Sequence, residues 1–454
     1  MLRSKEAGHK EPSYAQINDD IIRTLLVTGP RYYITLASAL LISIGCFLLP
    51  WFYQLKTGIG LSGMNQPNVW GSYLANFIFW IGLSHSGTLL SAVLHITQSS
   101  WRNAIYRSAE AMTLFSLITA SLFVFVHLGR PWFIHWTLPY PNQMELWPNF
   151  RSPLLYDVTA ITAYLTTSTL FLYIGALPDF AATRDRVSGW RKNLYSLLSL
   201  GWRGTDLEWH RLGIAYTFLA VLVIPLAVSV HSVVSWDFAL SIVPGLHHTV
   251  FAPYFVVGAI YSGTAGIVTM MFFLRKYFSL EDYITPTHFN NLGKLLLLLS
   301  LLWTYINGLE IFNGWYSGSS AQIETLNYKL FGYYAPMFWS MILFCAILPL
   351  VLIAKRVRTS LVPMLIISVF INIGMYFERL LILATSLSRK YLPDYWGFYT
   401  PSLLEVSILI GSLGVFISFF LIFVKIVPSV SIYEVKQTLD SPEDSPDDSA
   451  DGRD

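Results

Sequence analysis

The sequence predicts an all-α integral membrane protein with ten transmembrane helices. Charged residues make up only 12% of the chain and hydrophobic residues 54%, whereas soluble domains carry about 25% charge. The apolar residues gather into ten runs of about 20 residues, each enough to cross ~30 Å of hydrocarbon. In hydrocarbon only helices and closed barrels satisfy every backbone amide, and the runs lack the in-out alternation of a barrel. A net charge of +2 gives no ground for a nucleic-acid partner.

In chain order the runs fall at 34–53, 71–93, 109–129, 155–176, 212–234, 251–273, 292–312, 335–354, 361–385 and 402–427. Residues 1–33 are polar and lack the apolar core and small-residue cleavage site of a secretory signal, so the first helix is expected to insert as an anchor. Residues 428–454 form a tail. From Asp440 onward it is acidic and rich in Ser and Pro, with nothing to bury beyond Ala450, and is expected to be disordered. An even number of spans puts both termini on one side. The segments on that side hold 21 Lys and Arg and the alternate loops hold 6, with Lys294 and Arg379 inside helices, so both termini are expected in the cytoplasm. The loop 177–211 sets Trp190, Trp202 and Trp209 among basic residues, the pattern of a helix lying flat on the membrane.

Cys46 and Cys345 lie inside apolar runs. Two thiols fall short of the roughly four that an iron–sulfur cluster takes, and no Cys-x-x-Cys-His haem attachment motif occurs. The expectation is therefore a chain holding neither haem nor iron–sulfur cluster, and no metal.

An internal repeat is visible. Phe79-Trp-Ile-Gly82-Leu-Ser-His85-Ser86-Gly87-Thr88 aligns with Phe255-Val-Val-Gly258-Ala-Ile-Tyr261-Ser262-Gly263-Thr264. Both segments run in the same direction across the membrane, as in repeats related by an axis along the membrane normal. Their small residues allow close helix approach. The expected division is two parallel-related four-helix bundles, helices 2–5 and 6–9, with helices 1 and 10 peripheral.

Ionisable side chains at membrane depth cost roughly 2.5–3.5 kcal/mol each on insertion scales. His135 lies in the external loop after helix 3, Asp157 opens helix 4, His231 and Asp237 lie toward the external end of helix 5, and Glu378 and Arg379 lie in the outer half of helix 9. Far-apart stretches thus supply acid, base and guanidinium groups to one face, a set suited to taking two protons from a hydroquinone. A nearby Arg keeps a carboxylate ionised, and Trp132, Trp136 and Trp236 offer flat surfaces for a ring. Each group also has a structural reading. His135 can bond a loop carbonyl, Asp157 and Asp237 can cap helices, and Arg379 can be paired for packing. His85, past the midplane of helix 2, reads as a haem ligand, a proton relay or an interhelical bond. Haem needs a second axial ligand at matching depth, and His127 and His231 are expected near the outer face instead. Glu310 and Glu405 are equally open.

At these residues the chain resembles the polysulfide reductase/NrfD family of membrane subunits over about residues 30–430. The segments that carry the resemblance are Trp80–Thr88, His127-Leu-Gly-Arg130-Pro131-Trp132, and His247-His-Thr249-Val-Phe251-Ala-Pro253-Tyr254-Phe255. Ten spans, the segment Tyr14–Asp20 and the His135 region look most like the branch represented by the ActC subunit of bacterial alternative complex III. That resemblance implies a multi-pass protein of the bacterial inner membrane, inactive alone, that oxidises quinol, menaquinol by preference, near the periplasmic face. It implies a quinol pocket of His135, Asp157, Asp237 and Arg379, and a proton route drawing on His85, Tyr261, His231 and Glu378. The implied partners are an ActB-like periplasmic iron–sulfur protein, a multihaem c-type cytochrome, a second NrfD-type membrane protein and small membrane subunits. Tyr261 stands where the repeat would match His85, so the bundles are not chemically equivalent. A sister subunit of the same complex, or of a molybdenum-containing one, is the alternative. A secondary transporter fits the repeats but expects polar groups at the midplane.

Overall fold

The computed structural model describes residues 14–138 and 153–440, and every regular element among them is helical. Ten helices are long and apolar enough to span a membrane: helix 1 Pro30–Thr57, helix 2 Ser72–Ile96, helix 3 Tyr106–His127, helix 4 Leu155–Arg184, helix 5 Asp206–Ala239, helix 6 Phe251–Tyr277, helix 7 Pro286–Tyr316, helix 8 Ala335–Ile353, helix 9 Leu361–Ser388 and helix 10 Leu403–Val424. Each coincides with an expected run, and the chain is a multi-pass integral membrane protein. Several helices outrun the apolar stretch because their ends are capped. Helix 5 starts at Asp206, where Thr205 and Glu208 form a reciprocal capping box that satisfies otherwise orphaned amides.

Two spans carry π turns, and prolines account for them. Pro50 and Pro349 each lack an N–H and crowd the carbonyl four residues earlier, so the helix widens just upstream, at Ser43–Leu48 and Leu343–Ile347. The freed carbonyls find side-chain donors, as membrane depth demands. Ser407 Oγ donates to the Cys46 carbonyl at 3.1 Å. Tyr261 and Ser300 both donate to the Cys345 carbonyl, at 2.9 and 2.7 Å.

Helix 2 packs on helices 3 and 5, and helix 4 on helices 3 and 5, closing one ring of four. Helix 6 packs on helices 7 and 9, and helix 8 on helices 7 and 9, closing a second. Helices 1 and 10 pair at the side, where a Cβ on Gly411 would stand 2.4 Å from the Phe47 nitrogen. The repeated motif lies where the rings meet. Gly82 faces Ala259, a Cβ on Gly263 would overlap Ser86 at 2.6 Å, and Ser86 Oγ donates to the Ile260 carbonyl at 2.6 Å.

The two ends of the described chain, Tyr14 and Asp440, lie on one face, called the N/C face below. There the helix Tyr14–Leu26 buries Ile17, Ile21, Ile22 and Leu25 and touches the helix Ile432–Asp440. The short helix Trp190–Leu198 is amphipathic: Tyr195 is buried with its hydroxyl on the Ile426 carbonyl, while Trp190 and Leu197 are exposed. The other two expected interfacial tryptophans are elsewhere. Trp209 lies in helix 5, and Trp202 meets it edge-on at 5.1 Å. The tail expected to be disordered, beyond Asp440, lies outside the described residues.

Candidate functional site

The groups expected at one depth divide into two levels. At the opposite face, Asp157 near the start of helix 4 meets Asp237 in the last turn of helix 5, their carboxyls near enough to interact. Asp157 is buried and its Oδ1 has no protein donor. Two carboxyls so placed can hydrogen-bond only when one of them holds a proton. The 3₁₀ segment Pro131–Thr137 packs against helices 3 and 4 on the same face. His135 in it is exposed, with Nδ1 on the Trp132 carbonyl at 3.1 Å. Among the described residues it makes no hydrogen bond to either aspartate.

The second level lies deeper. His231 is six residues inward from Asp237, about 9 Å along the helix. Its ring meets His85 at 4.5 Å between centroids, and Tyr164 stacks on His85 at 5.3 Å. This corrects the expectation that no histidine is level with His85. The cause is the length of helix 5, which runs to Ala239 and so carries His231 inward from the rim. The two rings touch, so they are not spaced as axial ligands on opposite sides of a macrocycle. His85 Nδ1 lies 2.6 Å from the Ile81 carbonyl; it is therefore the donor nitrogen, and when the ring is neutral Nε2 is the acceptor. That Nε2 and both nitrogens of His231 are fully buried without a protein partner.

Phe255 links this pair to helix 9. Its ring lies 5.8 Å from His231, and the Arg379 guanidinium carbon sits 4.8 Å from its centroid, a desolvated cation–π contact. Gly258 makes the approach possible, since a Cβ there would stand 2.8 Å from Arg379 Nη2. Arg379 Nη1 lies 3.2 Å from Glu378 Oε2, and Trp303 Nε1 donates to Glu378 Oε1 at 2.7 Å. The ion pair lacks hydrogen-bond alignment, and both Arg379 Nη atoms remain without an acceptor. Arg379 is nine residues from the end of helix 9, about 14 Å inward, and so lies well below the aspartate pair.

Tyr261 is not part of this array, because its hydroxyl is spent on the Cys345 carbonyl. Glu310 and Glu405 resolve as structural groups: Glu310 pairs with Lys329 at 3.1 Å, and Glu405 accepts from the Gly63 and Ser402 amides and from Tyr399. Sequence reasoning missed Tyr164, Phe255 and Trp303 as site members. Phe255 carried a signal, since it opens the second copy of the repeat. Its counterpart Phe79 packs on Tyr376 of helix 9 at 5.7 Å.

Residues 60–389, well over half of the chain, match the family described as polysulphide reductase, NrfD. The chain belongs to that family. It is 27% identical over 402 residues to a Halobacterium salinarum protein named as a membrane subunit of dimethyl sulfoxide reductase, covering 83% of this chain and 86% of that one. It is also 27% identical over 418 residues to a subunit of the selenate reductase of Mesobacillus selenatarsenatis, covering 86% of this chain and 93% of the relative.

Proposed function

We propose that this NrfD-family chain is the quinol-handling membrane subunit of a molybdenum-type reductase complex, oxidising quinol and passing the electrons to an iron–sulfur partner. The observation that carries the reading is the buried Asp157 facing the half-buried Asp237 at the rim of a membrane domain, with the His231–His85 pair, three of whose four ring nitrogens lack a protein partner, about 9 Å below. The two relatives are named as reductase subunits, which favours such a complex over alternative complex III. The ten-helix count that suggested the ActC-like branch separates the two poorly, because both relatives align along most of their length. By the basic-residue bias the aspartate pair faces the extracytoplasmic side, and the termini the cytoplasm.

The chemistry follows from the groups present. A hydroquinone releases two electrons and two protons. The unpartnered Asp157 Oδ1 accepts from one phenolic O–H and, once its own proton has left to solvent at the rim, takes that proton. The second O–H gives its proton to an acceptor nitrogen of the histidine pair or to the exposed His135. The electrons leave to the iron–sulfur partner docked on this face, since two cysteines on separate helices cannot hold a cluster here. Arg379 sits too deep to bond the same hydroxyls, and its charge acts on the histidine pair across Phe255. A proton route through His85 and His231 is part of this reading; Tyr261 is not.

The test is quinol oxidation by the assembled complex in nanodiscs carrying Asp157→Asn. We expect a loss of ~10²–10³-fold, the scale of a missing general base, with partner subunits still co-purifying. A wild-type rate would overturn the site.

A further inference from the structure

The N/C end of the first ring holds ionisable groups that the quinol pocket does not use. Asp157 and Asp179 lie 22 residues apart on helix 4, so the two ends are separated by about 33 Å. Asp179 accepts from Arg107 Nη2 at 2.9 Å, with both side chains almost wholly buried. Arg102 Nη2 donates to Glu434 Oε1 at 2.6 Å and to the Tyr216 hydroxyl at 3.3 Å. Each guanidinium thus has its own carboxylate. A third acid, Glu110 in the first turns of helix 3, is fully buried. Its Oε1 accepts from Ser91 Oγ at 2.6 Å and from the Tyr216 hydroxyl at 2.9 Å, and its Oε2 has no partner. No cation is bonded to it among the described residues. The remaining charged or titratable neighbours are engaged elsewhere: His95 lies edge-on to Tyr216 with Nε2 on Thr217, Tyr106 accepts from Arg107, and Lys436 sits over the Tyr14 ring at the rim.

A fully buried carboxylate without a cation is far costlier than the neutral acid. The neutral acid also uses Oε2 as its hydroxyl while Oε1 goes on accepting two bonds. The C-terminal segment covers this site. Ser108 Oγ donates to the Ser429 carbonyl at 2.8 Å, Asp179 Oδ1 accepts from the Ile432 amide at 3.1 Å, Asn103 donates to the Glu434 carbonyl at 3.1 Å, and Trp209 stacks on Tyr433 at 4.2 Å. Glu434, Arg102 and Tyr216 therefore form an unbroken hydrogen-bonded chain from that segment to Glu110.

We infer that Glu110 is a proton-binding site which the docked C-terminal segment seals from solvent on the N/C face. It is independent of the quinol reading, lying at the other end of the same ring. Infrared spectroscopy of the assembled complex tests it. The wild-type minus Glu110→Gln difference at neutral pH should contain a protonated-carboxyl C=O stretch. Transfer to D₂O should shift that band slowly in wild type and about tenfold faster or more once the seal opens locally, both in Glu434→Ala and in a chain ended after Ser431. Glu110→Asp, which keeps the acid, should move the band without removing it. A difference spectrum lacking the band would show Glu110 ionised and overturn the site. Equal exchange rates in wild type and in both opened chains would overturn the seal.

Discussion

The two rings of four helices share a motif and differ in how they treat their buried polar atoms. In the second ring these atoms satisfy one another. Tyr261 and Ser300 donate to the Cys345 carbonyl, Ser262 donates to Asn372, Asn307 donates to Tyr254, and Glu310 pairs with Lys329. In the first ring Asn76, His85, Glu110, Asp157 and His231 each keep at least one buried atom without a protein partner. Within the membrane-spanning part of the second ring, among the described residues, such atoms belong to Glu378 and Arg379, and Arg379 faces the first ring across Phe255. An unsatisfied buried polar group costs about 1–3 kcal/mol, and under the proposed function this cost is accounted for by the first ring's handling of substrate and protons. The second ring is the scaffold that holds Arg379 against it.

Breaking the comparison starts with its largest effect. Asp157→Asn and Asp237→Asn should each lower quinol oxidation ~10²–10³-fold, and the double variant should be little worse than either, because groups that act as one unit are not additive. Multiplying losses would mean two separate sites. Next, His231→Gln should slow turnover by about tenfold or more if the histidine pair takes a proton, whereas Tyr261→Phe should leave the rate within about twofold and cost only ~1 kcal/mol of stability for the lost hydrogen bond. Equal losses from both would erase the distinction between the rings. Gly263→Val forces side-chain volume onto Ser86 at the junction and should destabilise by ~1–3 kcal/mol, read as a lower thermal midpoint. An unchanged midpoint would mean the rings are not held by this contact.

The smallest effect concerns the C-terminal segment. Burial pushes the Glu434 carboxyl up to about 7, against the pull of Arg102 and Arg107, whereas an undocked glutamate titrates near ~4.3. The docked form binds the proton more tightly, so docking is fully favoured at low pH and weakens as pH rises through about 7. Amide protection of residues 429–436, corrected for intrinsic exchange, should fall over that range and become flat in Glu434→Gln.

All ten spans were legible because each apolar run is long and continuous, and Asp157 stood out because charge in such a run is costly. What was not legible depended on helix length and on contacts between distant residues. His231 reads as a rim residue when helix 5 is ended at 234; the five further residues to Ala239, among them Trp236 and Asp237, put it level with His85. The six groups read at one depth divide into two levels for a similar reason. Position along an apolar run gives depth only to within a turn or two, so Arg379 was placed too near the rim. Docking of residues 429–436 could not be read from a short polar tail, since its partners Arg102, Asn103, Ser108 and Asp179 come from helices hundreds of residues earlier.

Photolabelling of the assembled complex with an azido-quinone, followed by mass-spectrometric mapping of this chain, tests the division most directly. Adducts confined to the outer turns of helices 4 and 5 and the 131–137 segment, and lost in Asp157→Asn, are the predicted result. Adducts on helices 7 to 9 that persist in that variant would contradict it.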